Sequence, residues 1–227
     1  IVTMLRTESL KPYSHSSYHL RELKSLTRYR FSLVQDCSRL KTSYARLCTI
    51  LFPELEKLVP SLHMASVYAL LSELPNAEAI SGCHLTRLAN LLFTASKGRY
   101  GKEKAIEIRN MARDSIGSYS EVKSLELQQT IQMIRIMENQ IKQVEAKINP
   151  IVDELHSPIL TIPGISYRMA AIIIAETENF SNFNSAEKVL AFAGLEPSVY
   201  QSGQLTSSHA KMVKRGSKYL RYALFNA

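Results

Sequence analysis

The chain has 227 residues, which is ample for one or two domains with a hydrophobic core. Its formal net charge of +8 favours an anionic partner such as nucleic acid. Its three cysteines form no CxxC pair, and no apolar run approaches the roughly 20 residues that span a bilayer, so disulfide-framework, zinc and membrane classes are excluded. We therefore expect a cytoplasmic protein with no membrane partner and no metal site in this stretch.

The first part of the chain predicts one long helix followed by shorter ones. A short helix is expected at 1–11, and from Tyr18 to Phe52 apolar residues recur at spacings of three, four and seven, which marks one buried stripe. The opposite face carries seven Lys and Arg against Glu22 and Asp36, so it is either a solvated face or a nucleic-acid contact. Shorter helices are predicted at 62–74, 84–95 and 102–116, and a glycine-rich charged loop at 96–101.

The segment from Glu121 to Leu155 carries the longest regular pattern of the chain. Its apolar residues alternate steps of three and four, which is typical of the seam of a coiled coil. The pattern favours a helical arm that pairs with a second copy, or else an amphipathic helix that lies on its own domain. The seam consists of Ile134, Met137, Ile141, Val144, Ile148, Ile151 and Leu155.

A tight turn at Ile162, Pro163, Gly164 and Ile165 is followed by an apolar helix at 168–176 and a second one at 186–193. The Pro-Gly pair lets the backbone turn sharply, and the unpaired N–H groups that open the next helix attract an anion. This arrangement predicts either a helix-hairpin-helix element that grips a nucleic-acid backbone or an ordinary helical hairpin.

The last 30 residues contain five Lys or Arg and no acid. These are Lys211, Lys214, Arg215, Lys218 and Arg221. Their spacings of three and four would place most of them on one face of a helix, and Tyr219 lies among them. Beside the phosphate-type turn, this run favours nucleic-acid binding over a merely solvated face.

Several short motifs together resemble the C-terminal domain of bacterial insertion-sequence transposases of the DEDD type, the serine-using, bridge-RNA-guided recombinases. The resemblance is dense over roughly the last 70 residues and loose over the first 60. The motifs are Ile162–Ile165, Ala170-Ala171, Ala175-Glu176, Phe183 with Ala186, Ala191–Pro197, Ser202-Gly203 and Lys214–Arg221.

This resemblance implies a mostly α fold in three parts. Residues 1–57 would be the remnant of a RuvC-like nuclease domain with its closing helix, in which Leu23–Arg30 resembles the family signature. Residues 58–156 would be a helical linker with a coiled-coil arm, which serves assembly into a homo-oligomer through 121–155. Residues 157–227 would be the compact transposase domain with the helix-hairpin-helix element, the Ser-Gly motif and a basic helix.

The resemblance also implies a DNA transposase that cleaves and rejoins strands, with DNA and guide RNA as partners. Ser202, followed by Gly203, would be the nucleophile that joins covalently to DNA. Mg²⁺ would be held by acids of a segment before Ile1, so we expect this piece to be bacterial, nucleoid-associated and inactive alone. Two alternatives stay open: a tyrosine nucleophile at Tyr200, Tyr219 or Tyr222, and a non-enzymatic helix-hairpin-helix module that only binds nucleic acid.

Overall fold

The structure is a computed structural model that describes residues 18–197, 201–202, 205–206 and 212–227, with only the backbone described at 201–202 and 205–206. Within these residues the protein is mostly α, which confirms the predicted fold class. The helix expected at 1–11 lies outside the described residues. The α-helices are α1 (Tyr18–Leu51), α2 (Leu55–Leu58), α3 (Ala65–Glu73), α4 (Ala77–Gly82), α5 (Leu85–Ala95), α6 (Lys102–Arg113), α7 (Glu121–Glu154), α8 (Tyr167–Thr177), α9 (Ala186–Ala193) and α10 (Lys218–Phe225).

Two short strands, β1 (Gln201–Ser202) and β2 (Leu205–Thr206), pair antiparallel. Single 3₁₀ turns occur at Pro158–Thr161 and Phe180–Asn182.

Most helix bounds agree with the predicted ones to within three residues, and the short helices α2 and α4 were not predicted. Helix α6 ends at Arg113 rather than at 116 because the residues after it find partners outside the helix. The Ser115 hydroxyl donates to Glu54 Oε2 at 2.6 Å, the Ile116 N–H donates to Glu54 Oε1 at 3.1 Å, and the Ser118 N–H donates to the Ile50 carbonyl at 2.8 Å.

The described chain divides into two compact units. The central unit comprises residues 32–142, and the terminal unit comprises 18–31 with the described residues from 143 onward. Both boundaries fall inside helices, α1 and α7, rather than in linkers. These two units have other boundaries than the three segments 1–57, 58–156 and 157–227 that were expected from the sequence.

The central unit has one continuous hydrophobic core. Tyr44 and Phe52 are its largest fully buried side chains, and the Tyr44 hydroxyl donates to the Leu62 carbonyl at 2.9 Å. Burial raises the pKa of the Cys48 thiol in this core to about 12, so that the thiol stays protonated. The central unit is therefore a well-packed helical domain in its own right.

Helix α7 turns its predicted seam toward the chain's own cores, with Ile134, Val144 and Ile148 buried and the other four seam residues half-buried. In the central unit Ile134 is fully buried, and Met137 and Ile141 pack against the core. In the terminal unit Val144 and Ile148 are buried. In this structure α7 is therefore an amphipathic helix that packs on the chain's own core, which is the alternative to a coiled-coil arm.

Helix α8 lies at the centre of the terminal unit. Every residue of this helix from Ala170 to Thr177 is buried, as expected for a helix that is apolar on all sides. It packs against α10, which in turn packs against α9. Arg30 of α1 bonds Glu145 of α7 in the same unit, at 2.7 Å from Nη2 to Oε1.

The basic helix expected at 211–221 is shorter than the sequence pattern indicates. Helix α10 begins only at Lys218, because the Ser217 hydroxyl caps it by accepting a hydrogen bond from the Leu220 N–H. Lys214 and Gly216 have φ values of +55° and +105°, which a right-handed helix does not accommodate. Lys214 and Arg215 thus lie in a non-helical segment before the helix, and the prediction of one basic helix is corrected.

Candidate nucleic-acid interface

The predicted turn at Ile162–Ile165 is present. The Ile165 N–H donates to the Ile162 carbonyl at 3.2 Å, and Gly164 has a φ of +94°. Pro at the second position and a positive φ at the third define a type II turn, which explains why glycine stands there. Ile162 is 51% exposed, and Pro163 and Gly164 are also exposed, so the turn offers its backbone to a ligand.

Ser166, directly after this turn, begins helix α8 as its N-cap. Its hydroxyl accepts a hydrogen bond from the Met169 N–H at 3.5 Å. The serine thus has a structural role where many helix-hairpin-helix elements carry a second glycine. The 11-residue helix behind it directs the positive end of its dipole toward the exposed turn.

The segment that carries Ser202 leaves and rejoins the terminal unit at one point. Pro197 and Met212 form an antiparallel bridge, and the 14 residues 198–211 lie between them in the sequence. Beyond the bridge, the N–H groups of Val213, Lys214 and Ser217 donate to carbonyls of 196, 194 and 192 at 3.0, 3.1 and 2.9 Å. Residues 212–217 are therefore fixed to the C-terminal end of α9.

Two glycines allow this close approach of backbones. Gly194 ends α9 in the left-handed conformation, with a φ of +70°, and a Cβ there would collide with the Arg215 carbonyl. A Cβ on Gly216 would likewise collide with the Phe192 carbonyl. The glycines of the AFAG and KRGS motifs are thus explained by packing between the two segments.

Ser202 lies at the end of strand β1 and pairs with Leu205 of β2. Gly203 and Lys211 lie outside the described residues, as does Tyr200. The described backbone thus places Ser202 in a short antiparallel pair, between the two residues that form the Pro197–Met212 bridge.

Three of the predicted cations are free to meet a ligand. Lys214, Arg215 and Lys218 are exposed and form no ion pair with any described residue. Lys218 Nζ lies 5.0 Å from the centre of the Tyr219 ring, which combines a cation with an aromatic surface.

Arg221, by contrast, is engaged inside the fold. Its Nη1 donates to the Ala193 carbonyl at 2.8 Å and so satisfies the C-terminal end of α9. We assign Arg221 a structural role in the terminal unit.

The structure brings the turn and the free cations to opposite ends of α10. A Cβ on Gly164 would lie 3.1 Å from the carbonyl oxygen of Ala227, just beyond the C-terminal end of α10, whereas Lys218 opens that helix. At 1.5 Å per residue the two ends are about 10 Å apart. A nucleic-acid backbone that touches both must run along α10.

A buried carboxylate that the sequence did not single out as functional ties three segments of the terminal unit together. Glu176 of α8 is 3% exposed and accepts hydrogen bonds from Arg28 Nε at 2.8 Å, Arg28 Nη2 at 3.0 Å and the Ser217 hydroxyl at 2.7 Å. Burial by itself raises the pKa of Glu176, but the hydrogen bonds from Arg28 and Ser217 and the Arg28 charge outweigh it and lower the pKa. Glu176 is therefore held ionised, and its motif position Ala175-Glu176 was the available sequence signal.

Most of the basic residues on the polar face of α1 form ion pairs within the fold. In the terminal unit, Lys24 bonds Glu178 at 2.9 Å, in addition to the Arg28 and Arg30 pairs. The open question between a solvated face and a nucleic-acid contact is thereby answered for these three residues, which pair within the fold.

The alternative tyrosines pack against α1. The Tyr219 and Tyr222 rings meet Phe31 edge-on at centroid distances of 5.1 and 5.2 Å, and the Arg28 guanidinium lies 4.9 Å from the centre of the Tyr219 ring. Both rings thus have a packing function in the terminal unit.

Among the described residues, no three His, Cys, Asp or Glu side chains gather in an arrangement that could hold a metal ion. In the same part of the chain, no helix combines the length and apolar character that a bilayer crossing requires.

Residues 156–227 match the model of the family described as Transposase IS116/IS110/IS902 family. The matched residues contain the turn, α8, α9, the two short strands and α10, so the C-terminal part of the chain is similar to a transposase domain of this kind. The chain is also similar to the Insertion element IS110 uncharacterized 43.6 kDa protein of Streptomyces coelicolor, at 36% identity over 90 residues. That match covers 38% of this chain and 22% of the relative, so the chain spans about a fifth of the relative's length.

Proposed function

We propose that this chain is the DNA-binding and strand-joining part of a bacterial insertion-sequence transposase. The observation that carries the proposal is the match of residues 156–227 to the transposase family, over the stretch that holds Ser202 and the free cations. The proposed partner is DNA, and the proposed cellular location is the bacterial cytoplasm, at the nucleoid.

The DNA backbone is bound through the exposed turn and the free cations. The Ile162–Ile165 turn and the N-terminal end of α8 meet one phosphate with backbone N–H groups. Lys214, Arg215 and Lys218 neutralise further phosphates. Lys211 and Gly203, which lie outside the described residues, are proposed to add to this contact. We propose that this contact is mainly to the phosphate backbone, because backbone N–H groups and clustered cations bind phosphate oxygens irrespective of sequence.

Ser202 is the proposed nucleophile. Its oxygen forms a bond to a DNA phosphorus, and the bond from that phosphorus to a deoxyribose oxygen breaks. The hydroxyl proton passes to solvent, and the leaving oxygen takes up a proton. The phosphoserine link keeps the energy of the broken phosphodiester bond. Attack by a deoxyribose hydroxyl on this link therefore rejoins the strand and releases the serine.

The described residues do not fit the Mg²⁺ that the family resemblance implies. Among the described residues no three His, Cys, Asp or Glu side chains gather around one point, and Glu176 and Glu178 are engaged, Glu176 by Arg28 and Ser217 and Glu178 by Lys24. No step is therefore assigned to a metal held by these residues.

Guide RNA is a further proposed partner, and a second copy of the chain is another.

For self-association we propose the outer face of α7 in place of its buried seam. Val122 and Met133, and likewise Leu125 and Ile136, are 11 residues apart, which is about three turns, and all four are exposed. Gln129, Gln132 and Gln140 lie along this stripe, so a second copy meets it without unfavourable like charges.

An adduct experiment tests the nucleophile. The full-length parent protein is incubated with metal, guide RNA and a labelled DNA target, then denatured and resolved on a gel. A protein–DNA adduct is expected, and Ser202→Ala should abolish it while DNA affinity stays within about threefold, because one hydroxyl contributes little binding energy. Ser207→Ala serves as the matched control.

An adduct that persists in Ser202→Ala but is lost in Tyr200→Phe would assign the nucleophile to the tyrosine. DNA binding without any adduct, in the presence of guide RNA and metal, would reduce the chain to a non-enzymatic binding module.

A further inference from the structure

A cleft in the central unit collects cations that have no partner. It has a volume of about 900 Å³ and lies between the loop after α2 and the start of α6. Lys57, Arg99 and Lys102 line it, are exposed, and form no ion pair with any described residue. Two acids also line it, but Glu107 is paired with Lys104 at 2.8 Å, so the unpaired charge is predominantly positive.

The loop that carries Arg99 is held in shape by its own hydrogen bonds. The Lys97 and Gly98 N–H groups donate to the Thr94 and Phe93 carbonyls at 3.2 and 2.8 Å, a pattern that closes the end of α5 as a Schellman motif. The Tyr100 N–H donates to Ser96 Oγ at 2.8 Å. The cations are thus presented by an ordered loop, which reduces the entropy that a ligand must overcome.

An exposed aromatic ring stands next to this loop. Phe93 is 56% exposed, and a Cβ on Gly98 would lie 3.6 Å from its ring atoms, so the ring rests against the loop backbone. Phe93, Asn90 and Lys102 line a second cavity of about 300 Å³. Lys102 lines both cavities and therefore connects the ring with the cationic cleft.

Helix α6 adds a favourable dipole at the same place. It has 12 residues, and Gly101 at its N-cap provides no side-chain hydrogen bond to its first N–H groups. These groups remain available to an anion beside Lys102. The helix end supports the site, and the cleft cations together with Phe93 define it.

We propose that this cleft binds a single-stranded stretch of nucleic acid, with phosphates on Lys57, Arg99 and Lys102 and one base stacked on Phe93. Phosphate groups complement the cations, and an unpaired base complements the exposed ring. A duplex fits poorly, because the faces of its bases are covered by their neighbours. All residues of the site belong to the central unit, so the proposal is independent of the DNA contact in the terminal unit.

Fluorescence anisotropy on the whole 227-residue chain tests the site. The chain carries Lys214→Gln, Arg215→Gln and Lys218→Gln as a background, which removes three of the four cations proposed to bind DNA in the terminal unit. The probes are labelled oligo(dT) and oligo(U), with a duplex of equal length beside them. Binding to a single strand in preference to the duplex is expected, and the tighter of the two single strands identifies the natural source.

Replacing Lys57, Arg99 and Lys102 with Gln should weaken single-strand binding about tenfold or more, and should reduce the salt slope by about 2, at about 0.7 per phosphate contact. The charge-matched control replaces Arg46, Arg135 and Lys142, which are exposed and unpaired in the described structure, and should leave both quantities nearly unchanged. Equal losses in the two triple variants would overturn the site, because binding would then follow net charge alone.

The stacking contact is tested separately with Phe93→Leu, which keeps an apolar side chain but removes the ring. Affinity for the single strand should fall about fivefold or more. Tyr119→Leu is the control, since Tyr119 is 61% exposed elsewhere in the central unit. Ultraviolet cross-linking of oligo(dT) should label the peptide that contains Phe93. Labelling elsewhere, or a duplex that binds as tightly as the single strand, would refute the proposal.

Discussion

The guanidinium of Arg28 bonds both carboxylate oxygens of Glu176, with Nε 2.8 Å from Oε1 and Nη2 3.0 Å from Oε2. This pair joins α1 to the buried helix α8, although the two residues are 148 positions apart. The Ser217 hydroxyl completes the coordination of the carboxylate from the segment that follows the hairpin. The pair thus connects a helix in the first part of the chain with the segment that presents the exposed cations Lys214 and Arg215.

Glu176→Gln should destabilise the terminal unit by about 1–3 kcal/mol, because the buried amide cannot accept all three hydrogen bonds, while Arg28 is 44% exposed and stays partly solvated. Urea unfolding followed by circular dichroism measures the change. Glu178→Gln is the control: its partner Lys24 and Glu178 itself are each about three-tenths exposed, and the expected cost is about 1 kcal/mol or less. If both variants lowered the free energy of unfolding equally, Glu176 would contribute no more to stability than the more exposed Glu178.

The contribution of Glu176 should depend on pH in a defined direction. Its pKa is lowered in the folded protein, so the folded state favours the ionised form. The resulting stability is fully present above the unfolded pKa of about 4.3 and is lost as the pH falls through the lower folded value. The difference in unfolding free energy between wild type and Glu176→Gln should therefore shrink below about pH 4.3. A difference that grows on acidification would contradict the lowered pKa.

Replacing Lys214, Arg215 and Lys218 with Gln should weaken binding to duplex DNA irrespective of sequence. Three lost phosphate contacts should reduce the salt slope by about 2.7, at about 0.9 per contact. Anisotropy titrations at several salt concentrations measure this slope. The charge-matched control replaces Arg21, Lys147 and Lys188, which are exposed and unpaired among the described residues, and should retain most of the slope.

Gly216→Ala should loosen the cation segment. Its φ of +105° imposes a strain of about 1–3 kcal/mol on alanine, and the added Cβ would collide with the Phe192 carbonyl. We expect a lower melting temperature together with weaker DNA binding. Gly82→Ala is the control, because a Cβ there meets nothing within 4 Å, and it should be neutral or slightly stabilising.

Sedimentation tests the outer face of α7. Wild-type protein should associate at tens of micromolar, and Leu125→Gln with Ile136→Gln should give a folded monomer, since both side chains are exposed. Ile148→Asp, on the buried seam, should instead unfold the terminal unit, because it places a charge at a position that is 3% exposed. A wild-type protein that remains monomeric at this concentration would exclude the outer face as an interface.

The helices and the Pro-Gly turn were predictable from the sequence because their signals are local. Apolar periodicity marks α1 and α7, and a proline followed by glycine marks the turn at Ile162–Ile165. The tertiary use of charge was not predictable: Arg28 and Lys214 look alike in the sequence, yet one is paired with Glu176 and the other is exposed and unpaired among the described residues. Their difference depends on contacts between distant segments.

The same reason explains the shortened basic helix. The spacing from Lys214 to Arg221 satisfies a helical pattern, but backbone hydrogen bonds to the end of α9 hold Lys214 and Ser217 outside the helix. Those bonds join residues about 20 positions apart, and the spacing of charges contains no information about them. Gly216 was the available signal, since glycine within a helical pattern often marks a backbone that departs from it.

The bridge between Pro197 and Met212 closes off residues 198–211 as an insertion whose sequence can change without changing the fold around it. Because both ends are fixed beside α9 by the bridge and by the bonds of 213, 214 and 217, the scaffold does not depend on what lies between them. Loop closure changes little with length, by about 0.6 kcal/mol per doubling. Related proteins could therefore vary the sequence and length around Ser202 while they keep the same folded base.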